Sequence, residues 1–178
     1  MRHKRLTAVA AAVTVGAIGV GSALGTPGTG VLGAPILARG TLEADDGHHG
    51  HHGHHKGERH KRVEIDLHKP SDVIVQQVTI APGGSTGWHS HPGPAIVIVK
   101  SGSLTLFDGD DRRCRGTTYA ADPATPGVGT VFIDEGRGHV HIGQNRGSTN
   151  AELYVTYLDV PAGAEPRIDA PRPGNCPF

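Results

Sequence analysis

The chain beyond residue 63 is a series of short apolar segments separated by turn sequences rich in Gly, Pro, Asp and Ser. The segments are residues 73–80, 95–99, 104–107, 129–133, 140–142 and 151–158. The first is predicted to stop at Pro82-Gly83-Gly84, and the second, a continuous apolar run, is predicted to be buried on both faces. No stretch of this region has a sustained helical period. Short strands at this spacing are typical of an all-β sandwich or barrel.

Composition agrees with this fold class and argues against a nucleic-acid partner. The 178 residues include 27 Gly and 13 Pro, with only 4% aromatic residues, as expected for a turn-rich β-domain with loose segments. The length is enough for one domain with a real core. Because 17 basic residues balance 17 acidic ones, the chain has no basic field to attract nucleic acid.

The N-terminus has the pattern of an export signal. Three basic residues precede an apolar run from Leu6 to Leu24, and small residues follow at a suitable cleavage position. We therefore predict a signal peptide over residues 1–25. The alternative is a retained membrane anchor, but the run consists mostly of Ala, Gly and Val, so no stable membrane span is expected. Both alternatives place the remainder outside the cytoplasm, either secreted or in the cell envelope.

Residues 26–62 are predicted to be a disordered, Gly/Pro- and His-rich segment. Its first part contains one apolar patch, Val31 to Ala38, which is either an edge strand or a tether. The part from Glu43 to Arg62 has no large apolar residue and cannot bury enough surface to fold alone. The predicted domain therefore covers residues 63–160, and residues 161–178 form a Pro-rich tail along the surface.

Seven of the 13 histidines lie between His48 and His60, interrupted by glycines. One interpretation is a low-affinity collector of metal ions, or a segment whose charge rises below about pH 6.5. The other is a tolerated low-complexity linker. The sequence does not decide between them.

Two His-x-His pairs stand in the strand region, His89 with His91 and His139 with His141. On a strand, residues i and i+2 point to the same face. Two imidazoles so placed can bind one metal ion at about 2.0–2.1 Å. A single His-x-His pair is most often a pair of surface histidines, but two such pairs on short strands predict a metal site.

The residues around these pairs resemble the two motifs of the cupin superfamily. The first motif is Gly, five residues, His-x-His, three or four residues, Glu, six residues, Gly. The second is Gly, five residues, Pro-x-Gly, two residues, His, three residues, Asn. The matching residues are Gly83, His89, His91 and Gly102, then Gly129, Gly138, His141 and Asn145, with one extra residue after Gly129 and Gly136 at the proline position. The resemblance covers about residues 73–160 and implies a small antiparallel β-barrel of the double-stranded β-helix, or jelly-roll-like, type.

The chain departs from the first motif at the metal-binding Glu, where it has Ala95 followed by Ile96. The resemblance therefore implies a divalent metal held by His89, His91 and His141. His139, two residues before His141, can face the same way on the strand and is an alternative fourth ligand. Zinc, iron and manganese are not distinguished.

No carboxylate is predicted to replace the missing Glu, because Asp134 and Glu135 have the pattern of turn residues. Three neutral imidazoles leave a divalent ion with its full charge and with open positions, which favours anionic ligands. The leading hypothesis is an exported metal-binding protein that captures a small anionic molecule or the metal itself, with no assignable reaction. The alternatives are a three-histidine iron dioxygenase or related oxidoreductase and a metal-stabilised scaffold. A homodimer is compatible with each.

Cys114 and Cys176 are predicted to pair, since an exported protein matures in oxidising surroundings. The bridge would fasten the Pro-rich tail to the loop after Asp108. The alternative is Cys114 as a reactive thiol or metal ligand. Trp88 is predicted to face opposite to His89 and to pack in the core or at its rim.

Overall fold

The computed structural model of the protein describes residues 25–43 and 69–178. Residues 1–24 of the predicted signal peptide and residues 44–62 of the histidine-rich tract lie outside the described residues. The described residues form eleven strands and no helix. None of the described residues therefore lies in a helix that could span a membrane. The strands are β1 (Thr29–Gly33), β2 (Ile36–Leu42), β3 (Ser71–Ser85), β4 (His89–Ser90), β5 (Ala95–Ser101), β6 (Ser103–Asp108), β7 (Gly116–Ala120), β8 (Val131–Asp134), β9 (His141–Gln144), β10 (Ala151–Pro161) and β11 (Ile168–Asp169).

The strands form an antiparallel sheet that curves into a nearly closed barrel. Its main path runs β11-β4-β9-β3-β10-β5-β8, and β6 pairs with both β7 and β9. The fifteen-residue β3 is the longest strand and pairs along most of its length with β10. The predicted all-β architecture with a small antiparallel barrel is confirmed.

Alternating side chains of β5 and β10 fill the barrel, as expected for strands with one buried face. On β5, Ala95, Val97 and Val99 are buried, whereas Ile98 is 39% exposed. The prediction that residues 95–99 are buried on both faces is therefore wrong. The core cluster consists of Ile74, Ile80, Ala95, Val97, Val99, Leu104, Phe132, Ala151, Leu153, Val155, Tyr157 and Val160.

The strand predicted to end before Pro82-Gly83-Gly84 continues through these residues to Ser85. Gly83 has a positive φ of 75°, and a Cβ on Gly84 would lie 2.7 Å from the carbonyl oxygen of Thr29. The pairing with β1 shifts register here, so the glycines form an irregularity within the strand rather than its end.

Residues 29–42 pair with β3 through β1 and β2, so the predicted disorder of residues 26–62 is wrong for this part. The apolar patch from Val31 to Ala38 is an edge strand, interrupted at Ala34-Pro35, rather than a tether. Its backbone is ordered by ladder hydrogen bonds, while Leu32 and Leu37 remain 62% and 51% exposed. Because these side chains are mostly exposed, the sequence of this segment lacks the apolar alternation that indicates a buried strand.

The C-terminal tail folds back onto the barrel. Its two-residue strand β11 pairs with β4, and a disulfide joins Cys176 to Cys114, which confirms the predicted bridge. Trp88, also buried as predicted, donates a hydrogen bond from Nε1 to the carbonyl oxygen of Phe178 at 2.9 Å. The tail is thus anchored beside the strand that carries the first His-x-His pair.

Candidate metal centre

Three of the four strand-region histidines meet inside the barrel. His89 lies on β4 directly opposite His141 at the start of β9, and His91 follows β4 by one residue. All three are buried, with 4–6% of their surface exposed. Each offers one nitrogen that lies within 4.8 Å of the nitrogens offered by the other two.

Each of the three rings is fixed by an acceptor at Nδ1. The Nδ1 atom of His89 lies 2.8 Å from the carbonyl oxygen of Gly87, and that of His91 lies 2.7 Å from the carbonyl oxygen of Pro166. The Nδ1 atom of His141 lies 3.0 Å from a carboxylate oxygen of Asp134. Because carbonyl and carboxylate oxygens only accept, Nδ1 donates in each ring, and the nitrogen left for a metal ion is Nε2 in all three.

Burial keeps two of these imidazoles neutral. It lowers the pKa of His89 well below its usual value, with the neighbouring His141 and His91 adding to the effect. Burial also lowers the pKa of His91 to about 4, helped by His141. Since a metal ion needs an unprotonated nitrogen, both rings are ready to bind metal at neutral pH.

The donor set and the space between the rings fit a divalent metal. Three neutral imidazoles are typical ligands of zinc and of iron, and the hydrogen bonds at Nδ1 are those that usually orient such ligands. A cavity of about 50 Å³ is lined by all three histidines and by core residues of the barrel. That volume exceeds the roughly 10–15 Å³ that one water molecule requires.

Asp134 is the site residue that the sequence analysis missed. It ends β8 rather than forming an exposed turn, its side chain is 2% exposed, and it contacts His141 and His139 through one carboxylate oxygen. Its other oxygen accepts a hydrogen bond from the Gly136 amide at 2.8 Å. Burial opposes ionisation, but hydrogen bonds from His139 and His141 outweigh it and hold the pKa of Asp134 well below its usual range.

His139 lies outside the three-histidine group. Its side chain is 30% exposed, and its Nδ1 lies 3.2 Å from Asp134, while Nε2 lies 3.8 Å from Asp108 and 3.7 Å from Asp110. The hydrogen bond with Asp134 raises the pKa of His139 to about 9, against the effect of burial. Both ring nitrogens of His139 thus face carboxylates, and His139 does not line the cavity between the other three rings, so we leave it out of the three-histidine set. A nitrogen of His139 does fall within 4.8 Å of ligand atoms of Asp134 and His141.

A second cavity, of about 340 Å³, borders the histidines on the side of the tail. His89, His91 and Tyr157 line it together with strands of the barrel wall and residues 165–167 of the tail. Its size is at the lower end of the range of ligand pockets, about 300–1,000 Å³. The site therefore has room for a small molecule beside two of its histidines.

No protein-family model matches the chain, and no curated protein matches it. Solved structures that resemble it include a cupin domain from Bordetella pertussis, 23% identical over 48% of this chain and 80% of that chain, with a TM-score of 0.38. An RmlC-like cupin with a double-stranded β-helix fold from Methanocaldococcus jannaschii is 18% identical over 49% and 70%, with a TM-score of 0.40. A polyketide cyclase from Streptomyces resistomycificus is 20% identical over 61% and 68%, with a TM-score of 0.41.

Proposed function

We propose that this chain, which has the cupin fold, is an exported protein that binds one divalent metal through His89, His91 and His141. The fold assignment is supported by three features. They are the antiparallel barrel, the order of the two motifs and the position of their histidines opposite each other on β4 and β9. The observation that carries the metal proposal is the common hydrogen bonding of the three rings. Each Nδ1 is occupied by an acceptor, so three Nε2 lone pairs are left in one buried place.

The ligand that we propose for the bound metal is a small anion. Three neutral imidazoles contribute no negative charge, and the buried carboxylate of Asp134 contacts His141 and His139 rather than forming part of the three-histidine group. A divalent ion held in this way supplies Lewis acidity and a net positive charge. The 340 Å³ cavity beside His89 and His91 gives a small ligand access to that charge.

Export is supported by two independent features. The leader has the pattern of a signal peptide. The disulfide between Cys114 and Cys176 belongs to a kind of bond that persists in oxidising compartments. We therefore propose that the protein acts outside the cytoplasm, and that the histidine-rich tract meets metal ions there.

A second candidate function is an iron-dependent dioxygenase or related oxidoreductase. The observation that favours it is the pairing of a carboxylate-free histidine triad with a cavity large enough for an organic substrate. The metal in protein purified from its native host separates the two functions. Iron with a measurable uptake of dioxygen supports the enzyme, whereas zinc without such uptake supports the binding protein.

The metal proposal is tested by zinc titration of the purified protein, followed by calorimetry at neutral pH. The histidine-rich tract is a candidate metal binder in its own right, so the titration uses a variant that lacks residues 43–62. One tight zinc per chain is expected, together with a higher melting temperature, because a ligand that binds only the folded state stabilises it. Absence of a stoichiometric tight site would contradict the proposal.

A further inference from the structure

The tail forms one wall of the larger cavity and is built into the site. Ile168 pairs with Ser90, and Asp169 pairs with His89, so the tail runs antiparallel along the first histidine pair. The carbonyl oxygen of Pro166 is the acceptor that orients His91. Arg167, between these contacts, lines the cavity together with His89 and His91.

Arg167 is the single cationic side chain among the described residues that line this cavity. Its Nε donates a hydrogen bond to Asp169 at 2.7 Å, and its side chain is 34% exposed. This bond orients the guanidinium through Nε, and the Nη groups of an arginine carry four further N–H donors. A planar fork of this kind matches the two oxygens of a carboxylate.

Two further polar side chains of the cavity, Tyr157 and Gln76, are paired with each other. Tyr157 donates a hydrogen bond to Gln76 at 3.0 Å, and Gln76 donates to the carbonyl oxygen of Ala34 at 2.7 Å. Val31 and Val78 add apolar surface to the lining of the cavity. A ligand that fits this arrangement has an apolar body and a charged end directed at Arg167.

Glu165 also lines the cavity, so its carboxylate offsets part of the positive charge that Arg167 contributes. Inorganic phosphate has no apolar part to contact Val31 and Val78. The apolar lining therefore favours a carboxylate with an apolar body over inorganic phosphate.

We propose that the cavity is a binding site for small monocarboxylates with an apolar body, and that Arg167 recognises their carboxylate. This inference rests on the proposed function, since the cavity is taken as the access to the metal centre. It assigns to the tail a role in ligand selection beyond closing the barrel. The disulfide at Cys176 and the β11 pairing then act as the anchors that hold Arg167 in place.

The test measures binding of isobutyrate to the zinc-treated protein by calorimetry and by NMR. The probes are isobutyrate, its neutral analogue isobutyramide and inorganic phosphate. The variants are Arg167→Gln, Arg167→Lys and Arg172→Gln, the last a matched change in the same tail at a residue that does not line the cavity. Zinc content and circular dichroism are recorded for each, so that a loss of fold or metal is seen directly.

Isobutyrate is expected to bind more tightly than isobutyramide and phosphate. Arg167→Gln should weaken isobutyrate binding at least about tenfold, in line with the value of a charge-assisted hydrogen bond. Arg167→Lys should give a smaller loss, and Arg172→Gln should leave the affinity and the zinc content unchanged. Equal binding of isobutyrate to the wild type and to Arg167→Gln would overturn the proposal.

Tighter binding of phosphate than of isobutyrate would also overturn it, because the assignment to monocarboxylates would be wrong. If the wild type takes up no zinc, the proposed function fails. The titrations of that zinc-free protein then decide the role of Arg167 by the same comparison of variants.

Discussion

Ala95 on β5 and Asp134 on β8 lie directly opposite each other, so the carboxylate that is missing from the first motif has a counterpart on the neighbouring strand. Asp134 does not occupy the place of the family's Glu. It contacts Nδ1 of His141 at 3.0 Å and thereby fixes the ring that faces His89. The negative charge at this site therefore lies behind one of the three histidines and not within the three-histidine group.

Asp134→Asn tests this role. The amide keeps the size of the side chain but removes its charge, so it holds the His141 ring less strongly. The imidazole then becomes a weaker electron-pair donor to the metal ion. Zinc affinity should fall about 10–100-fold, the range for residues that orient metal ligands. Calorimetric titration measures the change, and a folded variant with unchanged zinc affinity would show that Asp134 does not support the site.

Ala95→Glu tests the geometry of the first motif. The new carboxylate should reach the metal from the position of the family's Glu and tighten zinc binding. Without metal it would stand in a buried strand opposite Asp134, at a cost of several kcal/mol if unpaired. Zinc should then restore the melting temperature, and Ala95→Gln should not show this rescue to the same extent.

A combined Ala95→Glu and Asp134→Asn variant serves as the control, since it contains one carboxylate rather than two. Its metal-free form should be more stable than that of Ala95→Glu alone. Equal destabilisation of Ala95→Glu with and without zinc would mean that the side chain at position 95 does not face the metal.

Asp72 gives a prediction about acid stability. Hydrogen bonds from the Gly163 amide and from Thr41, together with the charge of Arg39, lower the pKa of Asp72 from 3.8. A carboxyl whose folded-state pKa is lowered stabilises the fold above its unfolded pKa and loses this contribution as pH falls through the folded value. The difference in melting temperature between wild type and Asp72→Asn should therefore be largest at neutral pH and shrink below about pH 4. A difference that is constant from pH 7 to pH 2 would contradict this.

The disulfide should stabilise both the fold and the metal site. Replacing Cys114 and Cys176 by Ser removes a cross-link across 62 residues, which is worth about 4 kcal/mol in the chain-entropy model. It also loosens the tail that provides the Pro166 acceptor for His91, so zinc affinity should fall. Chemical denaturation and zinc titration measure the two effects. Unchanged zinc affinity would show that the tail orients His91 without the bridge.

Much of the fold follows from local apolar patterning, and the rest depends on pairing that a sequence does not display. The strands that form the core were predicted because their side chains are buried in alternation. The strand β7 was not predicted, and for the segment of β1 and β2 an edge strand was only one of two alternatives. Backbone pairing rather than burial orders the largely exposed residues of these strands.

The site shows the same limit. The histidines were found because their spacing within each motif is fixed. Asp134 was assigned to a turn because Asp-Glu-Gly has turn composition, and only the pairing of β5 with β8 brings it to the site. Arg167 carried no sequence signal either, because its place beside His89 depends on the pairing of the tail at Asp169 with His89, 80 residues earlier in the chain. Asp134 could have been found by searching for an acidic residue opposite Ala95, but this search needs the register of β5 against β8.

The most direct test of the account is the zinc stoichiometry of the double variant His89→Ala, His141→Ala, compared with wild type and with His139→Ala. All three proteins lack residues 43–62, which removes the competing histidine-rich tract. Wild type and His139→Ala are each predicted to bind one zinc tightly per chain, and the double variant none. Undiminished zinc binding in the double variant, or its loss in His139→Ala alone, would contradict the proposed three-histidine centre.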